Sequence, residues 1–251
     1  MDWPTQSLLF IISLIANIFS AFAGGGAGLL QFPALIFLGL PFGIALATHK
    51  VASVALGVGA TIRNLREGHL QRRLTIFIMA FGLPGVVIGA SFILFVPDRM
   101  AEIALGILTA ALGVYSYLKP ELGQTTQYKQ QTALQNIIGG LVLFAIGILN
   151  GSLTSGTGLF VTLWLVRWFG MDYKTAVAHT LVLVGLFWNG SGALTLGLIG
   201  NIQWNWLPAL LVGSLLGGYI GAHLAITTGN RWIKRIFEFI TLAVGIKLII
   251  S

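Results

Sequence analysis

Apolar runs separated by short polar stretches fill the chain from end to end. Between the polar breaks they cover 7–22, 28–39, 43–62, 74–96 and 101–118, then 133–149, 158–169, 173–197, 206–226 and 233–250. Most approach the roughly 20 residues that a helix needs to cross a hydrocarbon core about 30 Å thick. The runs on either side of the first break are shorter, about 24 Å for 7–22 and about 18 Å for 28–39 at a helical rise. That break is GGGAG (24–28), and its counterpart in the second set is LNGSLTSGTG (149–158). Each glycine costs a helix about 1 kcal/mol relative to alanine, so three in a row read as a built interruption. The lengths predict, at each break, a helical hairpin that dips into a bilayer and returns.

The second set of runs repeats the first. GAGLLQFPALIFLGLPFGIALATH (26–49) pairs with GTGLFVTLWLVRWFGMDYKTAVAHT (156–180), matching Gly26 and Gly28 with Gly156 and Gly158, and Ala45 and Ala47 with Ala176 and Ala178. Farther on, Gly68 and Gln71 match Gly200 and Gln203. A repeat over half a chain marks transporters more often than enzymes. The expected fold is an all-α polytopic membrane protein of two inverted repeats, 1–118 and 133–251, joined by a cytoplasmic linker at 119–132. Each repeat holds a broken helical hairpin plus three transmembrane helices.

Composition agrees with a membrane protein and charge orients it. The 251 residues are 56% hydrophobic and 8% charged, outside the range of ordinary globular domains. If each break were part of one full crossing, basic loops would lie outside and the uncharged 199–205 loop inside, against the positive-inside rule. If each hairpin enters and leaves on one side, the N-terminus is outside. Loops 63–73, 119–129, 167–174 and 229–235 then face the cytoplasm with eleven of the fourteen Lys and Arg. This reading predicts a multi-pass protein of the bacterial inner or plasma membrane. The net charge of +7 thus reports topology, with no nucleic acid implied. Ala21-Phe22-Ala23 has the form of a cleavage site, but Asp2 and the lack of any earlier Lys or Arg argue against a leader.

Breaking helices at membrane depth exposes backbone groups, tolerated only against protein or a water-filled cavity. Two helix N-termini presented to one interior suit an anion. The acids point the same way: Asp2, Glu67, Asp98, Glu102, Glu121 and Asp172 fall at or near loops, and Glu238 alone lies within a run. The candidate substrate-binding residues are Gly25, Gly26, Gln31, Thr48, His49, Ser155, Gly156, Thr157 and His179, with Asn150, Ser152 and Thr154 as nearby polar groups. His49 and His179 recur beside the two breaks and are the proton-coupling candidates. Lys50 reads either as an intramembrane group or as a side chain snorkelling to the interface. No cysteine is present, which excludes disulfides and thiolate metal sites, and the scattered histidines assemble no metal set. No cofactor is implied, and no HExxH, GxSxG or aspartate pair supports an enzyme. The partners expected are a small anion and the lipid bilayer, with homo-oligomerisation left open.

GGGAGLLQFP, ALATHKVAS and RNLREGHLQRR, repeated as SGTGLF, AVAHTL and LGLIGNIQWNWL, resemble the sulfite exporter TauE/SafE family over nearly the whole chain. The resemblance implies membrane transport of small sulfur-containing anions such as sulfite or organosulfonates by an inner-membrane protein of two related halves; the two opposed hairpin tips lead to the expectation of a secondary transporter that exposes the anion by alternating access. Ala47-Thr48-His49 and Ala178-His179-Thr180 stand where that family commonly has Gly-Thr-Ser or Ala-Thr-Ser, and the second break is poorer in glycine. Both departures leave room for another oxyanion or another coupling step. An uncoupled anion channel and a non-transporting scaffold or assembly factor are the alternatives.

Overall fold

The computed structural model describes residues 3–25, 27–65, 67–68, 70–92, 98–127, 131–153 and 156–250. Every regular element among them is helical. The first half contains α1 (Trp3–Ala23), α2 (Ala27–Phe37), α3 (Phe42–Asn64), α4 (Arg72–Phe92) and α5 (Asp98–Tyr117). The second contains α6 (Ala133–Ser152), α7 (Thr157–Phe169), α8 (Tyr173–Val182), α9 (Asn189–Ile199), α10 (Leu207–Thr228) and α11 (Asn230–Ile250). A π-helical stretch, Leu183–Trp188, joins α8 and α9 into one continuous helix.

Both breaks appear where the sequence places them. The α1 helix stops because Gly24 (φ +89°) and Gly25 (φ +108°) turn out of it, each donating its N–H to the Ser20 carbonyl. The α7 helix starts at Gly156, again in the left-handed region. The arms differ from expectation in length. At 21 and 20 residues, α1 and α6 reach about 30 Å and qualify as candidate membrane spans. Pro4 sits in the first turn of α1, where its missing N–H costs nothing. Thr132 and Gln135 close a capping box before α6, so the helix begins cleanly at the linker. The return arms, α2 with 11 residues and α7 with 13, stay short of a crossing. Among the described residues, six helices have the length and apolarity to span: α1, α3, α4, α6, the continuous α8–α9 and α10. The α11 helix carries Arg231, Lys234, Arg235, Glu238 and Lys247.

The distribution of side chains inverts that of a water-soluble protein. Trp3, Phe37, Leu198 and Ile250 project outward, while Ser13, Asn17, Gln31, Thr48, His49, Lys50 and Asn150 are buried. Where the surround is lipid, polar groups find partners only inside.

Small residues set the helix packing, and the most extensive contacts join one half to the other: α1 with α10, α4 with α6, α3 with α10 and α5 with α11. Gly213, Gly217 and Gly221 of α10 lie on the α1 backbone at Phe10, Leu14 and Ile18. The contact of α4 with α6 is reciprocal, Gly85 and Gly89 meeting Phe144 and Ile148 while Gly147 and Gly151 meet Gly82 and Val86. Such stripes let backbones approach where lipid supplies no hydrophobic drive between helices. Gly82 also faces the buried Trp188 indole, and a Cβ there would lie 1.7 Å from a ring carbon. Gly82→Ala is therefore expected to destabilise the protein by about 1–3 kcal/mol, seen as a lower thermal midpoint in detergent; an unchanged midpoint would contradict this packing.

Candidate functional site

The two hairpin tips touch. A Cβ on Gly25 would come within 2.7 Å of the Gly158 Cα, and one on Gly158 within 2.8 Å of the Gly25 Cα. Only glycine at both positions permits the contact. Thr162 of α7 donates its hydroxyl to the Gly24 carbonyl at 2.8 Å, and its oxygen lies 2.9 Å from the Thr180 hydroxyl. The polar backbone freed by one break is thereby satisfied by the other half of the chain.

Beside this contact is a cavity of about 40 Å³. A single water takes about 10–15 Å³ on this measure, so the space suits a few waters or one compact ion. The first hairpin lines it with Ser20, Gly25 and Gly28, the second with Asn150, Gly156, Thr157 and Gly158. His49, Ser53 and Leu56 come from α3; Thr180, Leu181, Val184, Gly185 and Asn189 come from α8–α9. In the register of the repeat, Ser20 corresponds to Asn150, Gly28 to Gly158, His49 to Thr180 and Ser53 to Val184, so each half supplies equivalent positions. The cavity stands at the middle of α3 and of the continuous 173–199 helix. The π-helical turn brings Gly185 onto Gly57 of α3 with room for no side chain at Gly57.

The first turn of α7 points at this space. Gly156, Thr157 and Gly158 of this turn line the space, so the positive end of the helix dipole faces whatever occupies the cavity. His49 is held from behind: its Nδ1 lies 2.7 Å from Gln31 Oε1, and Gln31 donates to Ser13 Oγ at 2.9 Å. Asn17 adds a hydrogen bond to Ser214 Oγ at 3.0 Å. The Nε2 of His49, on the cavity side, is 3.2 Å from Ser53 Oγ.

Of the expected residues, Gly25, His49, Gly156 and Thr157 line the cavity. Gln31 supports His49 without lining it. Gly26 and Ser155, like Thr154, lie outside the described residues. Thr48 and His179 occupy equivalent positions and bind loops of the opposite half. The Gln203 N–H donates to Thr48 Oγ1 at 2.9 Å, and the Gln71 N–H to His179 Nε2 at 3.1 Å. With its Nδ1 2.9 Å from the Thr175 carbonyl, His179 is placed as the tautomer protonated at Nδ1.

Lys50 is the group the sequence left between two readings, and the structure settles its position. It is fully buried, because α3 begins eight residues earlier and leaves the side chain no route to the interface. Its ammonium donates to the Asn150 carbonyl at 2.5 Å, to Asn150 Oδ1 at 2.8 Å and to Asn189 Oδ1 at 3.2 Å. Asn150 in turn donates to Thr157 Oγ1 at 2.8 Å. Ser53 and Thr180 line the cavity without having been among the expected residues; the signals for them were the position of Ser53 one helical turn after His49 and the repeat equivalence of Thr180 to His49. Asn189 carried only its polarity within an apolar run. Among the described residues no three His, Asp or Glu gather to hold a metal.

A family model described as sulfite exporter TauE/SafE matches residues 9–248. A probable membrane transporter protein, ORF9, of Sinorhizobium is 29% identical, over 97% of this chain and 92% of its own length. A probable membrane transporter protein of Haemophilus influenzae is 28% identical over 97% and 94%. The probable membrane transporter protein YfcA of Escherichia coli is 29% identical over 96% and 88%.

The hydrogen bonds of Thr48 and His179 carry a testable cost. Thr48→Val leaves the Gln203 N–H without its acceptor and is expected to lose about 1–3 kcal/mol, read as a lower thermal midpoint, while Thr48→Ser keeps the wild-type value. Equal midpoints for Val and Ser would contradict the assignment.

Proposed function

The chain belongs to the sulfite exporter TauE/SafE family of membrane transporters, and on that footing we propose that it carries a small anion, a sulfur oxyanion such as sulfite or an organosulfonate, through the cavity between the hairpin tips. One observation carries this reading: both breaks converge on a single cavity whose wall offers backbone, hydroxyls, amides and an imidazole, with no carboxylate among the described lining residues. Oxyanions are held by such donors at helix N-termini. A cation would meet the positive end of α7 instead of a counter-charge.

Alternating access between two inverted repeats fits the same arrangement. Support comes from the pairing of helices: α1 on α10 in one direction corresponds to α6 on α4 in the other, the exchange that a two-fold relation between halves requires. It comes also from loop charge, which puts 63–73 and 199–205 on opposite faces of the membrane. The Gln71–His179 and Gln203–Thr48 hydrogen bonds then tie the halves together on opposite sides of the cavity. Opening toward one side releases one tie while the other holds. His49 lines the cavity and is the nearer candidate for proton coupling; His179 acts at a tie. Site depth favours transport as well, since transporter sites lie near the bilayer midplane at the repeat interface.

Purified protein in proteoliposomes is expected to give saturable flux with at least one of sulfite, small organosulfonates and small carboxylates. Absence of saturable flux or binding across that panel would end the proposal. His49→Ala is expected to lower flux and flatten its pH dependence; an unchanged pH profile would remove His49 from the coupling step while leaving transport in place.

A further inference from the structure

The fully buried lysine beside the cavity meets no opposite charge among the described residues. All three hydrogens of the Lys50 ammonium meet neutral oxygens, two on Asn150 and one on Asn189. This is the arrangement of a protonated amine, which has three donors and no acceptor. Neutral acceptors solvate a charge without cancelling it, and an uncompensated ion in a low-dielectric interior is strongly unfavourable. The other buried lysine shows the usual remedy, Lys234 pairing with Glu238 at 2.5 Å. Among the described residues, no carboxylate does this for Lys50. Glu67 pairs with Arg63, and Asp172 caps α8.

The uncancelled charge is one hydrogen bond from the cavity. Asn150 and Asn189, which hold the ammonium, both line that space, and Asn150 extends the contact to Thr157 in the first turn of α7. His49, the ionisable side chain on the wall, is engaged by Gln31 on one nitrogen and faces Ser53 on the other, an arrangement that suits a neutral imidazole.

Resting on the transport reading above, we infer that Lys50 is the fixed counter-charge of the site and that the site selects a compact monoanion over a dianion of similar shape. One ammonium, relayed through Asn150 and Asn189, balances one negative charge. A dianion would restore an unbalanced charge of the opposite sign in the same environment. The polarity of transport is thus set by a residue behind the wall.

Isothermal titration of the detergent-purified full chain tests this with methanesulfonate and sulfate as probes, one singly and one doubly charged. Wild-type protein is expected to bind methanesulfonate more tightly than sulfate by at least about tenfold, and Lys50→Gln to lose at least about tenfold in methanesulfonate affinity, as for removal of one partner of a buried charge pair. Asn189→Asp keeps the lysine and the volume but cancels the charge in place, and is expected to lose binding similarly. It decides the matter if Lys50→Gln fails to fold. Monodisperse Lys50→Gln or Asn189→Asp protein that binds methanesulfonate like wild type would overturn the role of Lys50, as would equal wild-type affinity for the two probes, and either result leaves anion transport standing. A wild type that binds neither these nor sulfite overturns the transport reading and this inference with it.

Discussion

Backbone polar groups have no partner in hydrocarbon, and a helix broken inside a membrane protein must satisfy the ends it creates. Much of this structure answers that requirement. Gly24 and Gly25 turn the chain out of α1, and the carbonyl released at Gly24 is taken by Thr162 of the other hairpin. The two tips close on each other at Gly25 and Gly158, where a side chain on either residue would drive them apart. What the contact leaves over, the first turn of α7 and the polar side chains around it, defines a small cavity. The site follows from how the broken ends are satisfied.

Holding two short arms in the interior needs walls that come from both halves. The glycine stripes supply them by bringing α10 onto α1 and α4 onto α6, so neither half packs as a separate body. Two consequences follow for function. Movement of one half against the other must pass through these contacts and through the paired loop hydrogen bonds at Thr48 and His179. The interior they enclose also excludes lipid and bulk water, which raises the electrostatic weight of each charge inside. The Lys50 ammonium sits in such a place.

Most of the helices were legible in the sequence because apolar length and glycine breaks are strong signals. The arms α1 and α6 came out longer than their apolar runs, since α1 already begins at Trp3–Pro4 and α6 runs on through Asn150, Gly151 and Ser152, residues that hydropathy alone excludes. Glycine at the tips was legible for the same reason that it is required. Facing was harder to read. Thr48 and His49 are neighbours in sequence, yet a helix turns about 100° between them, which sends one to a loop and the other to the cavity. Where nearly every face of a helix is apolar, periodicity does not say which face meets the site. Lys50 was ambiguous because the apolar run around it does not say which way a long side chain turns, and here it turns inward onto Asn150 and Asn189.

The direct test is to locate an anion in the protein. Selenite has the shape and charge states of sulfite with an anomalous scatterer at its centre, so crystals soaked in it report position without reference to transport. The expected result is an anomalous peak between Gly156–Gly158 and Asn189, within hydrogen-bond reach of the first turn of α7. Saturating selenite that leaves this cavity empty, with peaks only at the loop arginines, would contradict an anion site between the hairpin tips.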